Sequence, residues 1–348
     1  MNENRINSLY LSTNFQRYLM YFSIIVPVFN RPEEVDELLQ SLTLQTNKNF
    51  EVILAEDGSI RKSDKIAEKY SDRLSILYFE KANSGPGTTR NAGAERAKFD
   101  YLVFFDSDCI IPENYIESVS SFLENKYFDA FGGPDAALPT FTTIQKAINY
   151  SMTSFFTTGG IRGGKKSMDK FHPRTFNLGV SRKAFETIGG FGEMRFGEDV
   201  DFSLRLIKSG FETVLIPEAY VYHKRRTTWK QFYKQVNNSG IARINLHLAH
   251  PGSMKPVHAL PAVFVVGMVF SLLISIFNPL FLSIPITYST LVFIDSVSKN
   301  KSANVALASI AAAWVQLFGY GTGFLQAVWK RLILKEGEFK SYEKKFYE

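Results

Sequence analysis

The chain has 348 residues, of which 45% are hydrophobic and 21% are charged, and this balance excludes a disordered or fibrous protein. The net charge of +6 and the pI near 9.1 suit a protein that works beside anionic lipid or phosphate-bearing substrates. The single cysteine, Cys109, excludes an internal disulfide framework, and the lack of a zinc-finger, RRM or compact basic-arm pattern argues against a nucleic-acid partner.

Residues 1–21 are a polar N-terminal segment without the unbroken apolar run of a signal peptide, so we expect the following domain to stay in the cytoplasm. From residue 22 to residue 226, strand and helix patterns alternate. The predicted strands are 22–29, 50–57, 74–79 and 101–105, and the predicted helices begin near Asn30, Thr88 and Tyr115. This alternation predicts an α/β domain with a Rossmann-like, mostly parallel sheet and helices on both faces.

Three later segments have different compositions. Residues 157–170 hold four glycines and four basic residues, which predicts a mobile binding loop or lid. Residues 227–255 mix aromatic and basic side chains and are predicted to form amphipathic helices at a membrane surface. Residues 256–329 form a predicted transmembrane region with two or three spans, because 256–294 and 302–329 contain no Asp, Glu, Lys or Arg.

The number of spans is left open by the charge pattern. The turn between the first two spans is expected at Asn278-Pro279. A full third span would place the basic tail, 330–348, on the outer side, against the positive-inside rule. Alternatively, the glycines at 319, 321 and 323 break that segment into a re-entrant or interfacial piece and the tail stays cytoplasmic.

Candidate ligand-binding carboxylates follow two of the predicted strands. Asp57 ends the second strand, and Asp106 and Asp108 follow the apolar run 101–105. Ligands in parallel sheets bind beyond the carboxyl ends of the strands, so these side chains are expected at one crevice. An i, i+2 carboxylate pair there suits a divalent cation, although a solvated strand end would show the same pattern.

The order of four motifs carries a specific resemblance. The segments are "SIIVPVFNRPEEVDELLQSL", "EVILAEDGS", "SGPGTTRNAGAERAKFDYLVFFDSD" and "GGFGEMRFGEDVDFSLRLIKSG". Over roughly residues 22–225 the chain resembles the family-two glycosyltransferases of the GT-A fold, and its tail is similar to the ExoA-like, succinoglycan-type membrane-attached branch. Segment 84–93 also resembles the Gly-rich signature of sugar nucleotidyltransferases. In those enzymes the signature follows the first strand, whereas in this chain segment 84–93 follows the third predicted strand.

The resemblance implies a site for a nucleotide-sugar donor, with a UDP-sugar favoured, and for Mg²⁺ or Mn²⁺. Asp57 would bind the base or ribose, or is an ordinary turn aspartate. Asp106 would contact the ribose or the metal ion, and Asp108 would hold the ion that bridges the diphosphate. The other implied donor-site residues are Pro27, Phe29 and Asn30 around the base and Arg90 and Asn91 along the donor pocket.

The GED motif supplies the implied catalytic residues. Asp199 would be the general base of an inverting transfer, and Glu198 would orient the acceptor. Alternatively, Glu198 and Asp201 only complement the helix dipole. His223 is a candidate metal or phosphate ligand, or a structural histidine, and the basic run 224–226 is interpreted as a lipid-headgroup contact with diphosphate as the alternative.

The resemblance implies a metal-dependent transferase that adds one sugar to a lipid-linked (polyprenyl diphosphate) saccharide in exopolysaccharide, capsule or lipopolysaccharide synthesis. The QxxRW motif of processive synthases is absent, which favours a single transfer. The expected location is the bacterial inner membrane, as a multi-pass protein with its catalytic domain facing the cytoplasm. The alternatives are transfer to polyprenyl phosphate itself and an inactive membrane-bound scaffold on the same fold.

Overall fold

The computed structural model describes residues 19–138, 140–158, 171–194 and 196–337. The strands in these ranges are β1 Phe22–Val28, β2 Phe50–Asp57, β3 Ile76–Lys81, β4 Tyr101–Phe105, β5 Cys109–Ile110, β6 Ala130–Gly132, β7 Asp135–Ala136, β8 Asn177–Ser181, β9 Thr213–Leu215 and β10 Val221–His223. The helices are α1 Pro32–Thr43, α2 Asp64–Tyr70, α3 Pro86–Arg96, α4 Tyr115–Asn125, α5 Thr143–Thr153, α6 Phe155–Thr158, α7 Arg182–Thr187, α8 Glu198–Lys208, α9 Trp229–Ala249, α10 Leu260–Ser275, α11 Ser283–Asn300 and α12 Ala303–Ala327.

Seven strands form one mixed sheet in the order β3-β2-β1-β4-β8-β6-β9. β1 pairs in parallel with β2 and β4, and β2 pairs in parallel with β3. β8 is antiparallel to both of its neighbours, β4 and β6. The sheet therefore confirms the predicted α/β class, with a parallel half that carries the strand-end carboxylates.

Alternate side chains of the central strands feed two apolar cores. On β1, Phe22, Ile24 and Val26 pack towards α1, α2 and α4, whereas Ile25 packs on the opposite face towards α3, α7 and α8. Period-2 alternation with both faces buried explains why β1 reads as an unbroken apolar run in the sequence. The predicted coverage of both faces is confirmed.

A small second sheet joins distant parts of the chain beside the main one. Its order is β5-β10-β7, and the antiparallel pairing of β5 with β10 places Cys109 opposite His223. The segment that follows the two predicted metal-site aspartates is therefore fixed against a strand more than one hundred residues later. This pairing brings His223 to the same strand ends.

Two predicted elements are displaced by two residues. The third strand was expected at 74–79 and is observed at Ile76–Lys81, so that it carries Lys81 to the sheet edge beside Asp57. The helix expected from Thr88 begins at Pro86 instead, because Gly85 takes a φ of +92° and the proline occupies the first turn. The helix ends at Arg96, since Ala97 is extended.

The helical C-terminal unit packs directly on the catalytic domain. Three of its helices are long and apolar enough to cross a membrane by length and composition: Pro256–Ser275, Pro279–Asn300 and Ala303–Ile333, the last including a π-helical final turn. α12 is continuous, so the expectation that its glycines break it is wrong. Gly319 and Gly323 instead let α9 approach, since a Cβ on Gly323 would lie 2.2 Å from the carbonyl oxygen of Asn237.

The predicted binding loop at 157–170 lies mostly outside the described residues. Its first two residues, Thr157 and Thr158, are the end of α6 rather than loop. The predicted helix within 227–255 is observed as α9, whose buried residues face α12 and the domain.

Candidate active site

The carboxylate of Asp57 is fully buried at the end of β2. Its Oδ1 accepts hydrogen bonds from Lys81 Nζ at 2.8 Å and from the backbone N–H of Ser84, and its Oδ2 accepts one from the N–H of Gly85. These bonds fix the loop that opens α3, and the left-handed Gly58 (φ +74°) turns the chain away directly after Asp57. Asp57 therefore shapes the Gly-rich loop from below.

Arg90 connects two of the predicted site acids. Its guanidinium is buried on α3 and lies 2.6 Å from Asp106 Oδ1 through Nη2 and 3.4 Å from Glu198 Oε1 through Nη1. Asp106 comes from the end of β4 and Glu198 from the start of α8, which are far apart in sequence. A planar, permanently charged fork suits this task, since one residue holds two carboxylates in fixed positions.

Asp108 meets different cations from Asp106. Its Oδ2 accepts a hydrogen bond from Arg31 Nη1 at 2.7 Å, and its Oδ1 lies 3.2 Å from His223 Nε2. Burial raises the pKa of the Asp108 carboxyl, but the charges of His223 and Arg31 outweigh burial and hold that pKa well below its usual range. Burial likewise lowers the pKa of His223, and Asp108 outweighs it and raises that pKa. Asp106 and Asp108 were expected to act as one pair. In the structure they are neighbours with separate partners.

The donor atoms at Asp108 fit a divalent cation. The ligand atoms of Asp108, Cys109 and His223 lie within 4.8 Å of one another. Nδ1 of His223 is buried without a hydrogen-bond partner among the described residues, and Oδ1 of Asp108 faces the His223 imidazole at 3.2 Å, so both residues keep capacity to bind an ion. Burial raises the pKa of the Cys109 thiol, and Mg²⁺ and Mn²⁺ prefer oxygen ligands to sulfur, so Cys109 is the least suited of the three. Asp108 and His223 are therefore the residues that fit the ion.

The start of α8 presents the two acids of the GED motif. Gly197 is left-handed (φ +85°) and turns the chain into the helix so that Glu198 and Asp199 occupy its first turn. Burial, then the charge of Asp199, raises the pKa of Glu198 to about 7, although Arg90 opposes this. Oδ2 of Asp199 accepts a hydrogen bond from Arg174 Nη1 at 2.6 Å, and Oδ1 accepts one from the N–H of Val200.

A narrow cleft separates the Gly-rich loop before α3 from the start of α8. It lies between the Gly-rich loop, including Ser84 and Gly85, and the segment Gly192–Met194, and Glu198 forms one wall. Because Asp57 holds Gly85 from beneath, the ends of β2 and α8 border the same cleft. Asp199 points to Arg174 instead.

Asp201 lies in the first turn of α8, as the helix-dipole alternative expects, but it does more than complement the dipole. Its carboxylate is buried between Arg205, whose Nη2 lies 2.8 Å from Oδ2, and His250, whose Nε2 lies 2.7 Å from Oδ1. His250 ends α9, so this cluster ties the catalytic helix α8 to the C-terminal unit. The sequence could not show this, because a carboxylate near a helix start is surrounded by solvent only when no other part of the fold packs over it. Here the end of α9 packs over Asp201.

The remaining predicted donor-site residues lie at the end of β1 and on α3. Pro27 is on β1 and Phe29 follows it, and both are half-buried. Asn30 has a φ of +55°, and its Oδ1 accepts the N–H groups of Ile60 and Arg61, so its amide braces the turn after Asp57. The Asn91 amide exchanges two hydrogen bonds with the backbone of Phe191 and pins the loop before α8. Their contacts with donor stay predictions.

The basic run 224–226 does not lie free for lipid. Lys224 pairs with Glu37 at 2.6 Å, and the buried Arg225 pairs with Asp135 at 2.5 Å and donates to Asn149 Oδ1. The headgroup interpretation is therefore wrong for Arg225.

Two site residues were missed in the sequence, Arg31 and Arg174. For Arg31 a signal existed, since it follows the end of β1 directly, where ligand-site residues collect.

The mixed sheet with carboxylates beyond its strand ends is the GT-A class of nucleotide-diphospho-sugar transferase fold. The solved mannosyltransferase PcManGT from Pyrobaculum calidifontis, in complex with GDP-Man and Mn²⁺, shares this fold with a TM-score of 0.51 and 15% identity over 94% of this chain and 83% of that one. Residues 23–189 match the model of glycosyl transferase family 2. The chain belongs to glycosyltransferase family 2.

Two bacterial relatives of the chain are named as glycosyltransferases. An uncharacterized glycosyltransferase of Haemophilus influenzae is 30% identical over 217 residues, which are 59% of this chain and 70% of the relative. An uncharacterized glycosyltransferase of Rickettsia felis is 36% identical over 106 residues, 30% of this chain. The match spans only 18% of the length of that Rickettsia relative.

Proposed function

We propose that the protein is an inverting, metal-dependent glycosyltransferase that moves one sugar from a nucleotide-diphosphate donor, preferably a UDP-sugar, to a lipid-linked saccharide on a polyprenyl diphosphate. The observation that carries this proposal is the convergence at Arg90, which holds Asp106 from β4 and Glu198 from α8 through one guanidinium. Donor-side and acceptor-side acids thus border one small space, as a transfer reaction requires.

The donor half of the site consists of groups suited to a nucleotide and its charge. Asp57 would accept hydrogen bonds from the base or ribose once the loop at Ser84 and Gly85 adjusts. Asp108 and His223 would hold Mg²⁺ or Mn²⁺, with Asp106 beside them. When bound, the ion neutralises negative charge on the diphosphate leaving group. Arg31 and Arg90 add fixed positive charge at the same place.

The acceptor half supplies the proton transfer. Asp199 takes the proton of the acceptor hydroxyl as its oxygen bonds to the anomeric carbon, while the bond from that carbon to the donor phosphate breaks on the opposite face. Arg174, bound to Oδ2 of Asp199, orients the carboxylate. Glu198 faces the cleft with a raised pKa and is therefore able to donate or accept a hydrogen bond with the acceptor near neutral pH.

The lipid-linked acceptor is supported by how closely the apolar helices join the catalytic domain. α8, which carries both acids, is tied by Asp201 to His250 at the end of α9, and α10 begins ten residues later. A reaction centre attached in this way to an apolar unit suits an acceptor whose sugar lies at the bilayer surface. In a bacterial cell this would be the inner membrane, with the catalytic domain in the cytoplasm, and the product would enter exopolysaccharide, capsule or lipopolysaccharide.

The test is a transfer assay with purified protein, Mn²⁺, radiolabelled UDP-sugars and, as competing acceptors, polyprenyl diphosphate saccharides and polyprenyl phosphate, read as lipid-extractable label. Asp199→Asn should lower kcat by about 10²- to 10⁴-fold, whereas the control Glu186→Gln, an exposed carboxylate on α7, should retain full activity. Full activity of Asp199→Asn would refute the base assignment. Label recovered on a polyprenyl monophosphate would overturn the proposed acceptor, and donor binding without any turnover would favour the scaffold alternative.

A further inference from the structure

The apolar surface of the C-terminal unit is not shared equally by its three long helices. α10, the turn after it and the first half of α11 expose a continuous series of large apolar side chains, among them Val263, Val266, Phe270, Leu273, Ile284 and Ile286. α12 exposes only Leu307 and Leu325 of this kind, and about half of its apolar stretch is buried by other helices. Lipid therefore has a surface to contact on α10 and α11, and little on α12.

α12 is enclosed by helices whose outer faces are polar. It runs alongside α9 in the same direction: Gly319 meets Val236, and Gly323 meets the backbone of Asn237. α5 covers another side, where Ser151 donates to Gln316 Oε1. The outer face of α9 carries Lys230, Gln231 and Lys234, and that of α5 carries threonines. These polar faces do not tolerate hydrocarbon, so the part of α12 between 312 and 327 lies outside it.

The α10–α11 hairpin is too short to cross a bilayer from this position. α11 already contacts the catalytic domain at Tyr288, whose hydroxyl donates to the carbonyl of Phe156. α10 leaves the domain after Ala262, which packs with Ile241 and Ile244 of α9. Residues 263–275 then reach about 20 Å at 1.5 Å per residue, against a hydrocarbon thickness of about 30 Å.

The apolar side chains at the tip of the hairpin suit the interior of a bilayer. The large apolar side chains of the tip are exposed: Phe277 by 89%, Ile276 by 74% and Leu280 by 72%. A tip that emerged into water on the far side would leave these rings and chains hydrated. The basic residues lie at the other end of the helices: Lys255 before α10, Lys299 and Lys301 after α11, and Lys330 and Arg331 after α12. They are placed for the anionic headgroups of the leaflet that the hairpin enters.

We propose that α10 and α11 enter the bilayer together as a re-entrant hairpin that does not cross it. The part of α12 between 312 and 327 lies outside the hydrocarbon, and residues 328–337 stay on the same side of the membrane as the catalytic domain. The occupant of the exposed apolar surface is thus the acyl region of one leaflet. An open groove of about 490 Å³ between α11 and α12, lined by Ile286, Phe293 and Leu307, lies on this surface and would be filled by lipid chains.

The test labels a cysteine introduced into the full-length protein, in sealed membrane vesicles, with a membrane-impermeant maleimide. Ile60→Cys, 91% exposed in the catalytic domain, reports the catalytic side and matches the exposure of the tip variant Phe277→Cys. Glu336→Cys reports the segment after α12. The unsubstituted chain gives the background, because its Cys109 is buried.

We expect Ile60→Cys and Glu336→Cys to label from the same face of the vesicles, and Phe277→Cys to label only after detergent. Labelling of Glu336→Cys from the opposite face would show that α12 spans the bilayer and overturn the proposal. Labelling of Phe277→Cys from the opposite face would show a full crossing, and labelling from the catalytic face would show that the hairpin is not inserted; either result overturns it as well. None of these readings requires transferase activity, so they are independent of the proposed reaction.

Discussion

The buried carboxyl of Glu198 gives the fold a pH dependence whose size follows from its position. Burial and the charge of Asp199 raise its pKa from 4.5 to about 7, with Arg90 opposing. A carboxyl whose pKa is higher in the folded state binds its proton more tightly there, so its protonation stabilises the fold. This stabilisation is complete below about pH 4.5 and is lost as the pH rises through 7. The difference of about 2.5 in pKa corresponds to about 3 kcal/mol.

Glu198→Gln should remove this dependence, because glutamine stays neutral. At pH 4.5 we expect the variant and the parent protein to be about equally stable, and at pH 8 the variant to be more stable by about 3 kcal/mol. With an unfolding entropy of about 0.7 kcal/mol/K for a chain of this length, the Tm should differ by about 4 °C at pH 8. The measurement is thermal unfolding by intrinsic fluorescence in detergent with EDTA and without donor.

Glu186→Gln is the matched control, since its carboxyl is exposed on α7 and its substitution should leave the Tm difference between the two pH values unchanged. Parallel curves for Glu198→Gln and the parent from pH 4.5 to 8 would refute the reasoning. A variant less stable than the parent at pH 8 would refute it too, since the ionised Glu198–Arg90 pair would then stabilise the fold.

Three further outcomes follow from the site and the helical unit. His223→Ala should weaken Mn²⁺ binding, measured by calorimetry, at least about tenfold, whereas Cys109→Ala should leave it unchanged because Mn²⁺ prefers oxygen ligands to sulfur; equal affinities would remove His223 from the site. Gly323→Ala should cost about 1–3 kcal/mol, since its Cβ meets the Asn237 carbonyl, and the control Gly267→Ala, with open space around it, should be neutral or stabilising by up to about 1 kcal/mol in thermal unfolding. Phe277→Asp should lower partitioning into anionic vesicles about a hundredfold in flotation assays while Ile60→Asp has no effect, and equal losses would contradict insertion of the tip.

The features that were predicted from the sequence are those that depend on the local pattern of apolar and turn residues. The strand runs of β1, β2 and β4 appear as apolar segments because both faces are buried, and the turn residues after them place Asp57, Asp106 and Asp108 at strand ends. The start of α3 differs from the prediction because a proline and a left-handed glycine, rather than the apolar pattern, start the helix. Local chemistry thus accounts for the order of the elements and the location of the site.

The partners of the site acids were not predictable from spacing. Arg31 meets Asp108 across 77 residues, and His250 meets Asp201 across 49. Periodicity carries no information about such pairs, since they depend on which loops the sheet order brings together. The glycines of α12 show the same limit: a glycine that breaks a helix and a glycine that admits a neighbouring helix are identical in sequence.

The catalytic domain and the helical C-terminal unit are connected through α5, and this connection ends two residues from His223, the proposed metal ligand. On one side of α5, the Tyr150 hydroxyl donates to Asp295 of α11 at 2.7 Å. One residue earlier, Asn149 accepts two hydrogen bonds from Arg225, which lies two residues after His223 on the chain. Asp57 and its loop form no hydrogen bond to these groups among the described residues. In the proposed site, a shift of the hairpin relative to α5 is therefore expected to act on the metal end, at His223, rather than on the base end, at Asp57.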